Sequence, residues 1–381
     1  LQQTSKKHQE ITMKIDMLVF GEDWGAHPSS TQHLINQHNS PEEILWVNSL
    51  GLRRPKFNQY DMLRAFRKIL SMQQAPQQKT TSQLRQLNPQ CFSWPGNSHI
   101  RQLNRKLLLR QLRPLLNNSP SPLIWTSLPS AVDVIGHLNE RACVYYCGDD
   151  FSALAGVDHQ PVQAMEDELV DKSQLVIAAS EHLAQKFPKH KTLVLNHGVD
   201  YKHFATATTV ADDLAKGLTA GFYGSISSWF DQALVCQVAK LLPHWKFVLI
   251  GPVQTDVSAL QAMPNIELLG ARPYSQLPRY SQHWYAGILP FKDNRQIQAC
   301  NPLKLREYLA AGRPIVSTPF PALEPYRELI HVAQRAEQFA SALEESVRCQ
   351  SEEHKEARQL SVQTQDWKHK ATQVSEVLAQ L

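Results

Sequence analysis

Lys304 and Glu307 lie three residues apart in the run Asn301-Pro302-Leu303-Lys304-Leu305-Arg306-Glu307-Tyr308-Leu309-Ala310-Ala311-Gly312. In a helix they share one face of the first turns. Asn301 suits the N-cap, Pro302 the first helical position and Gly312 the residue just past the end, which predicts a helix of about three turns. The start of such a helix offers unpaired N–H groups and a partial positive charge, a setting for phosphate. A lysine there is unfavourable unless an anion is expected. A cation for phosphate beside a carboxylate for sugar hydroxyls is the pair a nucleotide-sugar site needs. The same two residues would equally make an ordinary surface ion pair.

Four loops stand where further chemistry could gather. Gly21 to Ser30 carries His27 and follows an apolar run. Gly148-Asp149-Asp150-Phe151 places two adjacent carboxylates after Cys143 to Cys147. Gly221-Phe222-Tyr223-Gly224-Ser225 is a glycine turn able to bring amides to a diphosphate, though it is not a GxGxxG fingerprint. Gly270-Ala271-Arg272-Pro273-Tyr274 supplies a cation and an aromatic ring. Each alone reads equally well as a turn. Their joint placement after strand-like runs is the informative point.

Those runs alternate with helix-length segments in two series. The first comprises Ile15–Phe20, Ile44–Val47, Leu123–Thr126, Cys143–Tyr146, Leu175–Ala178 and Thr192–Leu195. The second comprises Thr219–Tyr223, Phe247–Ile250, Ile266–Leu269, Ala286–Leu289 and Ile315–Ser317. The pattern predicts an α/β chain of two Rossmann-like, doubly wound parallel-sheet domains. Ligands in such sheets bind outside the carboxyl ends of the strands, so both domains present loops to one cleft. We expect a first domain over residues 1–203, with 1–13 a disordered arm. A linker over 204–218 and a second domain over 219–352 follow. The tail, 353–381, reads as a helix crossing back to the first domain.

The chain has 381 residues, 42% of them hydrophobic and 19% charged, the composition of a globular protein. It has no apolar run long enough to span a bilayer, and Leu1 to Thr12 does not read as a signal peptide. Six cysteines show no metal or redox spacing, so free thiols in a cytoplasmic setting are expected. The net charge of +4 conceals an asymmetry. Residues 51–113 hold 13 Lys or Arg and one acid, leaving 26 basic and 34 acidic residues elsewhere. Such a patch suits anionic lipid or a phosphate-bearing acceptor. Within it, Ile100, Leu103, Leu107, Leu108, Leu112 and Leu115 form a helical arc, with Lys106, Arg110 and Arg113 opposite and Arg101 and Arg105 inside the arc. A core-packing helix with a solvated back and a membrane-surface helix both fit. No aromatic-basic interleaving or known motif accompanies the charge, so nucleic acid is not expected.

Residues 221–318 resemble the nucleotide-binding domain of GT-B glycosyltransferases of the family 4 type, closest to bacterial enzymes of capsular, exopolysaccharide and teichuronic-type synthesis. The likeness rests on Gly224-Ser225 with Trp229-Phe230-Asp231, Phe247 to Pro252, Leu269-Gly270 with Pro273-Tyr274, Leu289-Pro290-Phe291, and Asn301 to Gly312. It continues more weakly through His197-Gly198-Val199-Asp200 with Phe204 and through Tyr145-Tyr146 with Asp149-Asp150. The resemblance implies transfer of a sugar from a nucleoside diphosphate to a hydroxyl of a glycan or polyprenyl-diphosphate-linked acceptor. It also implies an acceptor site in the first domain, and no metal or cofactor beyond the nucleotide sugar as co-substrate.

Residue by residue, Glu307 matches the second glutamate of the family's Glu-x7-Glu motif, which holds ribose. The first falls at Ala299, so the carboxylate that contacts the donor sugar in retaining members is absent and the stereochemistry stays open. The Arg/Lys pair of the family's diphosphate site is missing from Ser225 to Asp231, leaving Lys304 and Arg272 as the cations. Gly224, Ser225, Tyr274, Asn301 and Pro302 complete the expected donor site. If the reaction inverts, a carboxylate takes the acceptor proton, Asp150 first and Asp149 second, with His27 a third candidate to hold the sugar. The expected location is cytoplasmic, at the inner face of the membrane. A non-catalytic nucleotide-sugar-binding subunit and a nucleotide-sugar epimerase are the rival readings, and a nicotinamide-dependent dehydrogenase ranks below both.

Overall fold

The computed structural model describes residues 14–25, 28–52, 84–119 and 121–381. His27 and residues 53–83 of the basic stretch lie outside them.

Two parallel sheets form, one per domain. The first holds β1 (Met17–Phe20), β2 (Ile44–Val47), β3 (Arg85–Leu87), β4 (Leu123–Thr126), β5 (Ala142–Cys147), β6 (Leu175–Ala178) and β7 (Thr192–Val194), ordered β3-β2-β1-β4-β5-β6-β7. The second holds β8 (Thr219–Tyr223), β9 (Lys246–Ile250), β10 (Ile266–Gly270), β11 (Ala286–Leu289), β12 (Ile315–Ser317) and β13 (His331–Val332), ordered β10-β9-β8-β11-β12-β13. Nearly all central strand residues are buried, as the apolar runs of a sheet covered on both faces require. The edge strands β3 and β13 were not read from the sequence, because they are short and carry Arg85, Gln86 and His331 in place of an apolar run. Strand order reverses at β1/β4 and at β8/β11, so the loops after these strands open onto the cleft.

The division of the chain differs from the expected one. The first core reaches Leu195 and the second begins at Val199, so the crossover precedes residue 204. The expected linker is part of the second domain: Phe204, Ala211 and Leu214 are in its core. Gln282 Nε2 bonds the Phe204 and Thr206 carbonyls at 2.7 Å each.

The tail is two helices rather than one. Glu352–Gln363 packs on the helix Leu303–Ala310 of the second domain, and Trp367–Leu378 packs on the helix Ser30–Ile35 of the first. Between them the backbone turns aside to pair with the crossover. Val199 N donates to Gln365 O at 2.9 Å, Trp367 N donates to Val199 O at 3.2 Å, and Asp366 caps the last helix.

The basic helix runs Ser98–Leu112 and tightens to Leu116. Only Leu108, Leu112 and Leu116 of its apolar residues are buried, a stripe narrower than the arc read from the sequence. Arg101, inside that arc, is bound by Asp133 at 2.6 Å and Glu168 at 2.7 Å.

Candidate active site

The helix behind the site spans Leu303–Ala310, about two turns, shorter than expected. Pro302, not Asn301, occupies its N-cap. Asn301 is turned to the first domain instead: its Nδ2 donates to Ala179 O at 2.8 Å, and its Oδ1 accepts from Arg306 at 2.7 Å. Gly312 follows the helix with φ +74°, the left-handed conformation that glycine adopts without strain.

On the second-domain wall, β8 delivers Gly224 with φ +136°, its N–H donating to Ile250 O at 2.8 Å. A Cβ at Gly224 would stand 2.9 Å from Lys304 Cε, so glycine is what lets the lysine lie across this turn. Ser225 follows, partly buried. Lys304 Nζ stands 5.6, 5.7 and 5.9 Å from the ring centroids of Phe222, Trp229 and Phe291. Among the described residues no hydrogen bond or ion pair holds it. Burial pulls its pKa down, opposed by Cys300, Glu307 and Asp149. A cation framed by π faces and lacking an anion is ready for one.

Glu307 is only 3% exposed. Its Oε2 accepts from the Tyr223 hydroxyl at 2.7 Å, and the nearby Tyr274 hydroxyl helps to stabilise its charge. Burial pushes its pKa up to about 7 against the pull of Tyr223 and Lys304. The surface ion pair is therefore not what forms. Tyr274 is fixed by stacking on His203, centroids 5.1 Å apart, and by His33 at 5.6 Å across the domain seam.

Arg272 is placed differently from the expected phosphate contact. Its guanidinium donates to Asp213 at 2.6 Å, Leu269 O at 2.5 Å and the Tyr280 hydroxyl at 3.1 Å, tying residues 211–214 to the loop after β10.

The first-domain wall separates the two carboxylates. Asp150 Oδ1 accepts from Lys186 Nζ at 2.7 Å, Ser152 Oγ at 2.7 Å and Ser152 N at 3.1 Å. Its burial would raise the pKa, but Lys186 and Ser152 hold it below the usual carboxylate range. Asp149 is open to solvent within the cleft yet has protein on most sides. That partial desolvation raises its pKa, the Asp150 charge adds to the rise, and Lys304 opposes it. Across the cleft, Lys304 and Cys300 are the second-domain groups whose electrostatics act on and respond to Asp149.

The sequence reading missed a polar seam. His197 Nδ1 lies 2.6 Å from Ser30 Oγ and 3.0 Å from the Tyr146 hydroxyl. Burial, then Arg306, His33 and Lys370, drive its pKa to about 3, so the imidazole is neutral. Lys186 and Glu166 were missed as well, because nothing in their local sequence marks them as partners of Asp150. Among the described residues no group of His, Cys, Asp or Glu could hold a metal ion, and all six cysteines are free.

Two α/β domains about a cleft, with a tail that crosses between them, define a GT-B protein. Residues 219–348 match the family model described as Glycosyl transferases group 1. A Bacillus subtilis (strain 168) protein named for teichuronic acid biosynthesis, the glycosyltransferase TuaH, is 26% identical over 287 residues, 68% of this chain and 72% of that protein. Anabaena Alr3699/HepE, solved with UDP and glucose, superposes with a TM-score of 0.68 at 12% identity, covering 97% of this chain and all of that one. Sucrose-phosphate synthase from Thermosynechococcus elongatus gives a TM-score of 0.69 at 13% identity, covering 96% and 99%. The chain thus has the GT-B fold, and residues 219–348 within it are similar to the group 1 glycosyl transferases.

Proposed function

We propose that this enzyme transfers a sugar from a UDP-sugar to a hydroxyl of a glycan or polyprenyl-diphosphate-linked acceptor in bacterial surface-polysaccharide synthesis. Lys304 carries the reading: a desolvated ammonium with no anionic partner among the described residues, at the Gly224 turn, one helical turn from a buried carboxylate that accepts from the Tyr223 hydroxyl. In this reading Lys304, the Gly224 and Ser225 amides and the helix start at Pro302 stabilise the charge that develops on the leaving diphosphate. Glu307 accepts the ribose hydroxyls. Asp149, which faces Lys304, takes the acceptor proton, and Asp150 anchors the turn. The uracil base is supported by the Anabaena structure solved with UDP, and the polysaccharide acceptor by the name of the Bacillus relative. A thermal-shift panel of UDP, GDP, dTDP and their sugars tests the donor, since a ligand that binds only the folded state raises its melting temperature. A shift with GDP or dTDP alone rejects UDP.

The acceptor half carries a surface that fits an anionic bilayer. Leu103, Lys106, Arg110 and Arg113 succeed one another at helical spacing on an exposed stripe, Leu103 being 41% exposed. Phe92 and Trp94, 45% and 46% exposed, stand near its upper end, where the Phe92 N–H bonds Asn104 Oδ1 at 2.8 Å. No described helix is long and apolar enough to cross a membrane. The reading is peripheral attachment at the cytoplasmic leaflet, with on the order of 1 kcal/mol per basic residue that reaches it, screened by salt. Co-sedimentation should show binding to phosphatidylglycerol vesicles, release by salt, and weaker binding when Lys106, Arg110 and Arg113 become Gln. Equal, negligible binding to phosphatidylglycerol and phosphatidylcholine vesicles rejects it.

A further inference from the structure

Behind the Gly148–Asp150 turn lies a charged assembly from three elements that the proposed chemistry does not use. Glu166, on the helix His159–Lys172, has a side chain with no solvent exposure. Its Oε1 accepts from the Tyr145 hydroxyl at 2.5 Å, and its Oε2 accepts from Gln163 Nε2 and Lys186 Nζ, both at 3.2 Å. Lys186 follows the short helix Glu181–Ala184 after β6, and its ammonium also donates to Asp150 Oδ1 at 2.7 Å. The Asp150 carbonyl accepts from Ala153 N at 2.9 Å and Leu154 N at 2.8 Å, and Cys147 Sγ lies 3.3 Å from the Asp149 carbonyl. The backbone is thereby fixed on both sides of Asp149, while the Asp149 side chain is left facing the cleft.

We infer that Lys186 and Glu166 are positioning residues for sugar transfer: Glu166 fixes Lys186, Lys186 fixes Asp150, and the pinned turn aims Asp149 at the donor wall. Lys186 also offsets the negative charge one residue from Asp149. The inference rests on Asp149 as the group that meets the acceptor hydroxyl. The geometry favours a positioning role over mere stabilisation. A buried carboxylate is costly unless paired and hydrogen-bonded, and here the pairing ammonium reaches out of the core to a turn that faces the other domain. The charged or titratable groups around Asp149 are Asp150 on its own turn, Tyr146 and Cys147 of β5, Cys300, and Lys304 on the facing helix. Of these, Asp150 is the one whose charge Lys186 neutralises directly.

The test is a carboxyl ¹³C NMR titration of aspartate-labelled protein, with Asp149 assigned by its loss in Asp149→Asn and hydrolysis of UDP-glucose followed as turnover. Lys186→Met should raise the Asp149 midpoint by about half a pH unit or more, because an unneutralised Asp150 disfavours a second negative charge. It should lower turnover by on the order of tenfold or more with UDP affinity unchanged, as a misaimed group does. Lys186→Arg should restore both. Since Lys186→Met orphans Glu166 in the core, the double variant Lys186→Met/Glu166→Gln removes that burden and should show the same shift in a folded protein. An unmoved Asp149 midpoint in the folded double variant overturns the inference and leaves the role of Asp149 standing. Parental turnover in Asp149→Asn overturns that role and the inference with it.

Discussion

On the donor wall, Lys304 and Glu307 sit among the rings of Phe222, Trp229, Phe291 and Tyr223, and no ion pair joins them. On the facing wall, Asp150, Lys186 and Glu166 form a chain of ion pairs, and Asp149 stands beside it unpaired. Charge is held in two different ways. Where solvent is excluded and no countercharge is supplied, an ionisable group departs from its usual pKa and interacts strongly with whatever anion or hydroxyl arrives. Where partners are supplied, the same groups lose that readiness and fix geometry. The donor wall is built to be completed by its ligand. The acceptor wall is already complete, except at one carboxylate.

The largest expected effect tests that exception. Asp149→Asn keeps the shape but cannot take a proton, so turnover should fall by at least about 100-fold while UDP affinity holds. Asp150→Asn weakens the bond to Lys186 and should lower the melting temperature, with the smaller loss of turnover. Steady-state release of UDP from the nucleotide sugar, set beside thermal denaturation, distinguishes them. If Asp150→Asn is the more damaging to turnover, the assignment of the two walls reverses. On the donor side, Lys304→Ala should weaken UDP binding by about 1.5 to 3 kcal/mol, the range for a charge-assisted hydrogen bond. Without nucleotide the effect on the fold should be small, because no ion pair among the described residues is lost and the ring contacts that go are offset by relief of a desolvated charge. Calorimetric titration reads the first and melting the second. Undiminished UDP affinity would remove the lysine from the site.

The same contrast explains what the sequence disclosed. The central strands were legible because both sheets are covered on both faces, and the helix at 303–310 was legible from its spacing and its glycine stop. Lys304 and Glu307 could be paired in advance because they lie on one turn of one helix. Asp149 and Asp150 could be found, with Asp150 ranked first; what distinguishes them in the structure is Lys186, which lies 36 residues on and bonds only one of them. Asn301 resembled a cap because local sequence shows the helix and hides the other domain, where its side chain finds Ala179 O. Arg272 looked available for the same reason, and Asp213 holds it. The tail read as one helix because the break at 364–366 is imposed by pairing with Val199. What sequence spacing cannot convey is a partner from a distant segment.

The smallest expected effect is a pH dependence specific to the donor wall. Burial raises the Glu307 pKa from 4.5 to about 7 in the folded protein. The folded state therefore keeps a proton that the unfolded chain has released, and the contribution of this group to stability falls as pH rises from about 4.5 through 7. The accumulated cost is about 3 kcal/mol as an order of magnitude. Glu307→Gln cannot ionise, so in the absence of nucleotide its melting temperature should gain on the parent's by roughly a few degrees between pH 5 and pH 8. His197 acts in the opposite sense. Its folded pKa of about 3 against the ordinary 6.5 makes stability rise with pH up to about 6.5. That contribution is shared by both proteins and cancels in their difference. With UDP present the dependence should invert, because the ionised carboxylate is the form that accepts two ribose hydroxyls. Parental UDP affinity should weaken from pH 8 to pH 6, and the Gln variant should lack that part of the slope. Parallel melting curves across this range would mean that Glu307 is not desolvated as its burial implies. The donor wall would then hold its charge no differently from the wall it faces.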